Sequence, residues 1–64
     1  MTLESKLRAL VAGMRYAADK CDEYATEAVS GDARNIERAR ARTMRGDADA
    51  LAAVLNEHEA RDAR

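Results

Sequence analysis

The chain has no proline, phenylalanine or tryptophan, and it has only three glycines and one cysteine. Few residues can therefore interrupt a helix, and alanine, the strongest helix former, makes up half of the apolar residues. A single cysteine excludes an internal disulfide and is typical of a reducing compartment. The sequence predicts an all-α protein without strands.

Bulky apolar residues are also scarce. At 64 residues the chain is one domain at most, and its five Leu, three Val and one Ile provide a thin core. Small domains without disulfides or metals commonly gain stability by association. No run of about 18 apolar residues predicts a membrane span, and no signal-peptide pattern is visible, so we expect a cytoplasmic protein. A net charge of −1 is not that of a general nucleic-acid binder.

A heptad seam organises the first part of the chain. Its apolar positions alternate between spacings of four and three, which predicts a helix with one face covered by another helix, as in a coiled coil: Leu3, Leu7, Leu10, Met14, Ala17, Cys21, Tyr24 and Ala28. Val11, Ala18 and Ala25 lie one position beyond the seam. They widen the apolar stripe, and we expect them to form a strip that one partner helix leaves uncovered.

Ser30-Gly31-Asp32 is the clearest interruption of this pattern. Gly31 can adopt the left-handed conformation that ends a helix, and Asp32 can cap the next one. A short connection turns the second helix back on the first. We therefore predict one helical-hairpin domain over residues 1–64, with helices at about 3–30 and 33–62 and a turn at 30–32.

The second helix carries a matching seam. We expect Ala33 and Ile36 to face inward at its start, followed by Ala41, Met44, Ala48, Leu51, Leu55 and His58. The heptad phase continues across Gly46-Asp47, which favours one helix. The alternative is a kink at Gly46 or a third helix beginning there.

Charge independently supports an antiparallel hairpin. Residues 1–18 carry +2, 19–32 carry −4, 33–46 carry +4 and 47–62 carry −4. Folding the chain near Gly31 places each basic half beside an acidic half.

An arginine stripe is the most prominent charged feature, formed by Arg34, Arg38, Arg42 and Arg45 on one helical face. These side chains could pair with carboxylates of the neighbouring helix, including Asp19 and Asp22, or they could bind an anionic partner such as nucleic acid or an acidic protein. No aromatic residue is interleaved for base stacking.

Few residues are candidates for catalysis or metal binding. Cys21 is expected to be a buried thiol, and the only histidine, His58, lies far along the chain from it. His58 and Asp62 alone are too few ligands for a structural zinc site. No phosphate loop, nucleophile elbow or cofactor motif is present. We expect no enzymatic activity, no metal and no cofactor.

Leucine and valine concentrate near both ends of the chain, which a hairpin brings together. We expect this region to supply the face for self-association or for a partner, formed by Leu3, Leu7, Leu10, Val11, Met14, Ala18, Leu51, Val54 and Leu55.

Two segments, LRALVAGMRYAADKCDEYATEAV and RTMRGDADALAAVLNEH, resemble short Ala/Arg-rich proteins of actinobacteria and their bacteriophages. In those proteins an L-R-x-L-A helix precedes an A-D-x-L-x-x-x-L helix. The resemblance implies a small cytoplasmic accessory protein, consistent with a phage origin, and transfers no site residues.

We therefore expect a protein-binding module that forms a homodimeric four-helix bundle and modulates a host protein. The alternatives are a small nucleic-acid-associated regulator that uses the arginine stripe and a structural oligomer.

Overall fold

A computed structural model describes residues 2–62 as two helices, α1 at Leu3–Glu27 and α2 at Gly31–Asp62. The helices pack against each other in antiparallel orientation, and the described residues contain no strand. The predicted all-α helical hairpin is confirmed. The Cα atoms extend over 52 × 19 × 11 Å, as expected for a pair of long helices. No helix in the range 2–62 is long and apolar enough to cross a membrane.

Hydroxyl side chains cap both helices. Thr2 caps α1, and its Oγ1 accepts a hydrogen bond from the Ser5 N–H at 3.0 Å. Ser30 takes this role for α2, because its Oγ accepts from the Ala33 N–H at 3.1 Å.

The turn between the helices differs from the prediction in position and conformation. The connection comprises residues 28–30, because α1 ends at Glu27 and the Ser30 cap allows α2 to begin at Gly31. Ala28 is extended, with φ −65° and ψ 135°. Gly31 has no positive φ, so the predictions of a left-handed Gly31 and a capping Asp32 were wrong. The chain reverses direction through the extended Ala28 and a bend at residues 29–30.

The buried face of α1 is rotated relative to the predicted seam. Its centre is formed by Val11, Ala18 and Ala25, which were expected to be the uncovered strip. Leu3, Leu10 and Tyr24, expected at the interface, are exposed. Leu7, Met14 and Cys21 belong to both rows, so either phase satisfies the heptad spacing. The observed phase places small side chains between the helices, so that their backbones can approach closely.

The inner face of α2 largely follows the predicted seam. Ala41, Ala48 and Leu55 are buried, and Met44 and Leu51 are half-buried. Ile36 and Ala33 are exposed, so the prediction that they face inward was wrong. The inner row begins later, at the partly covered Glu37 and at Ala41.

The core consists of two clusters along the interface. Ala18, Cys21 and Ala41 pack with Met44 beside the connection, in what we call the inner cluster. We call the opposite end the open end, because α1 begins and α2 finishes there. A larger cluster at that end, the outer cluster, contains Leu7, Val11, Met14, Ala48, Leu51, Ala52 and Leu55. Apolar bulk is therefore concentrated near the open end.

Gly46 lies inside an uninterrupted α2, so the alternative of a third helix is wrong. A Cβ added at Gly46 would meet no atom within 4 Å. We expect Gly46→Ala to raise the free energy of unfolding by about 0.5–1 kcal/mol, because alanine loses less backbone entropy in a helix. Urea unfolding followed by circular dichroism would measure this gain, and Ala50→Gly should give a loss of similar size. A Gly46→Ala variant less stable than the parent would indicate that the helix needs flexibility at this point.

Candidate functional site

Ion pairs close one edge of the hairpin. We call this the ion-pair edge, and it consists of Arg8, Arg15, Asp19 and Asp22 of α1 and Arg45, Asp49, Asn56 and Glu59 of α2. Each basic group meets an acidic group of the other helix, which is the pairing that the charge pattern predicts for an antiparallel hairpin. These contacts favour the antiparallel orientation of α1 and α2, although each exposed ion pair contributes little to the free energy of unfolding.

Two arginines illustrate the geometry of this edge. Arg45 contacts Asp19 Oδ1 from Nη2 at 2.7 Å and Asp22 Oδ2 from Nη1 at 2.6 Å. The hydrogen bonds that Arg45 donates to Asp19 and to Asp22 raise the pKa of Arg45, and the bond to Asp19 has the larger effect. Arg8 donates to Glu59 Oε1 from Nε at 3.1 Å and to Asn56 Oδ1 from Nη2 at 3.0 Å.

The arginine stripe divides into two parts. Arg45 is engaged within the hairpin, as the pairing interpretation predicts. Arg34, Arg38 and Arg42 make no ion pair with any residue in the range 2–62 and are exposed. Arg38, Arg42 and Arg45 line a shallow depression that also contains Asp22 and Asp49. Three of the four stripe residues therefore present free guanidinium groups to solvent, beside carboxylates that limit the local positive charge.

The edge on the other side of the interface is apolar. We call it the apolar edge, and it consists of Leu3, Leu10 and Tyr24 of α1 and Ile36 and Val54 of α2, with exposed fractions from 53% to 71%. Leu10 lies two positions after Arg8 in the sequence, so their side chains point about 160° apart around α1. The same offset separates Val54 from Asn56 on α2. Leu3 and Val54 jointly line a cleft at the open end, which places both apolar rows on one side of the hairpin.

The predicted partner face is only partly available. Leu3, Leu10 and Val54 are exposed, and Leu7, Met14 and Leu51 are half-buried. Val11, Ala18 and Leu55 are buried between α1 and α2, which corrects their assignment to an external face. The rotation of α1 causes this change, because it turns the Val11 row inward and the Leu3–Leu10–Tyr24 row outward.

Arg40 and Asp47 occupy the same heptad position of α2 as Val54, and both are exposed. They interrupt the apolar row of α2 midway along its length. The apolar edge is therefore most continuous near the open end, where Leu3, Leu10 and Val54 lie, and more polar toward the connection.

Cys21 is buried and unpaired. Burial raises the pKa of its thiol above the ordinary value of 9.0, and the nearby carboxylate of Glu37 raises it further. A raised pKa suppresses the thiolate, which is the reactive form. Cys21 therefore serves in packing within the inner cluster.

We expect Cys21 to react with a thiol reagent at least about tenfold more slowly in the folded protein than in urea, because thiolate is scarce and access is restricted. A Cys21→Ala/Ala53→Cys variant, with an exposed thiol, should show no such protection. Because the folded state disfavours the thiolate, the fold should lose stability as pH rises from 9.0 through the folded-state pKa. Equal rates for Cys21 with and without urea would contradict this assignment.

His58 contacts two carboxylates at the open end. Its Nε2 lies 2.9 Å from Glu4 Oε1 and 3.2 Å from Asp62 Oδ2. Asp62 was visible in the sequence as an i, i+4 neighbour, but Glu4 was not, because 54 residues separate it from His58. Knowledge of the hairpin register would have been needed to identify it.

Comparisons with protein-family models, with curated proteins and with solved structures find no match to this chain.

Proposed function

We propose that this chain is a non-catalytic protein-interaction module that associates with itself through the apolar edge to form a homodimeric four-helix bundle. The observation that carries the proposal is the asymmetry of the hairpin. One edge is closed by ion pairs, whereas the other exposes Leu3, Leu10 and Val54 near the open end. An exposed apolar cluster of this kind is typical of an interface.

The surface of the isolated hairpin supports association. Its accessible area is 4833 Å², whereas a compact monomer of this mass has about 4000 Å². The excess of roughly 800 Å² is similar to the area that each partner buries in an interface of standard size. No large side chain among residues 2–62 is fully buried in the isolated hairpin, so packing against a second copy would complete a thin core.

The resemblance to Ala/Arg-rich proteins of actinobacteria and their phages suggests the biological setting. In our proposal the dimer is a cytoplasmic accessory protein that binds and modulates a protein of the bacterial host. Tyr16 and the arginine stripe lie away from the apolar edge and would remain available to that partner.

Sedimentation velocity over a concentration series tests the dimer. Leu10→Glu and Val54→Glu should each weaken association by tenfold or more, since each buries a charge in the proposed interface. Val29→Glu is the matched control, because Val29 is apolar and fully exposed but lies in the connection. A parent protein that is monomeric at all concentrations would refute the proposal. Species larger than a dimer would favour the structural-oligomer alternative.

A second candidate function is binding of nucleic acid through the arginine stripe. It is favoured by the free guanidinium groups of Arg34, Arg38 and Arg42, which have no internal partner among the described residues. Phosphate contacts would make such binding strongly dependent on salt.

A gel shift on duplex DNA with a salt titration tests this candidate. Arg38→Glu/Arg42→Glu should abolish the shift without unfolding the protein, since neither arginine pairs with a carboxylate among residues 2–62. Arg45→Gln is the contrasting variant, and it should lower the melting temperature at low salt because it breaks the contacts to Asp19 and Asp22. Absence of any shift for the parent at low salt would remove this candidate.

A further inference from the structure

The open end brings together three potential metal ligands that are contributed by both helices. Glu4 lies in the first turn of α1, and His58 and Asp62 lie one turn apart at the end of α2. One donor atom from each residue lies within 4.8 Å of the other two. Both carboxylates approach the same ring nitrogen, Nε2 of His58.

The spacing of these atoms suits a small divalent cation. Ligands bound tetrahedrally at about 2.0–2.1 Å lie roughly 3.3 Å from one another. The two separations from Nε2, 2.9 Å to Glu4 and 3.2 Å to Asp62, are within a few tenths of an ångström of that value. An ion between these donors would occupy the space of the Nε2 proton. Side-chain rotation alone could therefore form the site, with no movement of the helices.

Apolar side chains surround the proposed ligands on one side. Glu4 and His58 form the polar rim of a cleft whose remaining walls are apolar: Leu3, Leu7, Val54 and Leu55. Such walls support a metal site by limiting competition from water on one side. The remaining coordination positions would face solvent and would be filled by water.

We propose that Glu4, His58 and Asp62 bind a divalent transition-metal ion of the Zn²⁺ class, which fastens α1 to α2 at the open end. An imidazole with two carboxylates selects this class over Mg²⁺, which prefers oxygen ligands alone. Because 54 residues separate Glu4 from His58, the complete ligand set exists only in the folded hairpin. The ion therefore stabilises the folded state selectively.

Thermal unfolding of the full chain with and without ZnCl₂ tests this proposal. The test uses a Cys21→Ala background, so that the thiol cannot act as a ligand. At a free Zn²⁺ concentration of ten times Kd, the melting temperature should rise by about 5–10 °C. MgCl₂ at the same concentration should give little change.

Variants assign the effect to these residues. His58→Gln and Glu4→Gln should each remove the Zn²⁺-dependent rise, which is measured against the metal-free form of the same variant. Glu57→Gln is the matched control, since Glu57 is an exposed carboxylate one residue away that pairs with Arg61. Calorimetric titration should give one ion per chain.

Two results would overturn the metal site: no rise for the parent, or an equal rise in His58→Gln. The site lies within one chain, so a Leu10→Glu variant should retain the rise even if it is monomeric. Failure of the metal site and failure of the proposed dimer are therefore separately detectable.

Discussion

Shortening Leu55 to alanine should lower the free energy of unfolding by about 3 kcal/mol, because a buried leucine truncated to alanine loses both its transfer free energy and its packing contacts. Leu55 is 3% exposed and packs in the cluster with Val11 and Ala48. It is the largest of the buried side chains. A chain of this length has a total stability of only about 3–10 kcal/mol, so the loss would be a large part of the whole.

Urea unfolding of a Leu10→Glu background, followed by circular dichroism, would measure this loss without a contribution from association. Val29→Ala is the control, since Val29 is fully exposed in the connection and should change stability by less than about 0.5 kcal/mol. A loss below 1 kcal/mol for Leu55→Ala would mean that the outer cluster is more loosely packed than described.

The second large effect is expected from enlarging a buried alanine. Ala48 has no exposed surface and lies where the two helices are in close contact. Ala48→Leu should destabilise the hairpin by about 2–3 kcal/mol, because the added atoms force the helices apart or require strained rotamers. Separation would also disturb the Arg15–Asp49 contact, which measures 3.2 Å.

Ala50→Leu is a matched control for Ala48→Leu. Ala50 is exposed and lies two residues away on the same helix, so the same chemical change should alter stability by less than about 0.5 kcal/mol. A stabilised Ala48→Leu protein would indicate unfilled space between the helices and would contradict the close packing.

Both predictions concern residues whose location the sequence only partly revealed. The α2 seam predicted Ala48 and Leu55 at the interface, and the structure confirms them there. The antiparallel hairpin was predictable for the same reason that it is stable: apolar spacing, charge alternation and a short connection all favour it.

The rotation of α1 was not predictable from spacing alone. Rows beginning at Leu3 and at Leu7 both satisfy a heptad repeat, and the row beginning at Leu3 was predicted to face α2. The face of α1 that packs against α2 depends instead on the fit to Ala41 and Ala48. It also depends on the contacts that Arg8 and Arg15 make with α2. Such pairwise fit appears only once two helices are placed together.

The contact between Glu4 and His58 at the open end could not be predicted from the sequence for a related reason. Glu4 and His58 meet only because the register of the hairpin brings the two helix ends into contact. At the connection, by contrast, Ser30 was a local signal that could have been used, because serine is among the strongest capping residues. Asp32 was predicted in that role instead, because aspartate is an equally strong capping residue.

The uneven division of the core has a consequence for folding kinetics. Cys21 and Ala41 of the inner cluster are 20 positions apart in the sequence, whereas Val11 and Leu55 of the outer cluster are 44 apart. The longer loop costs roughly 0.7 kcal/mol more to close, so helix pairing should begin beside the connection and spread outward. The bulky outer cluster would then form after the transition state. Leu55→Ala should therefore accelerate unfolding and leave the refolding rate almost unchanged, which makes the open end the part of the molecule that sets its lifetime in the folded state.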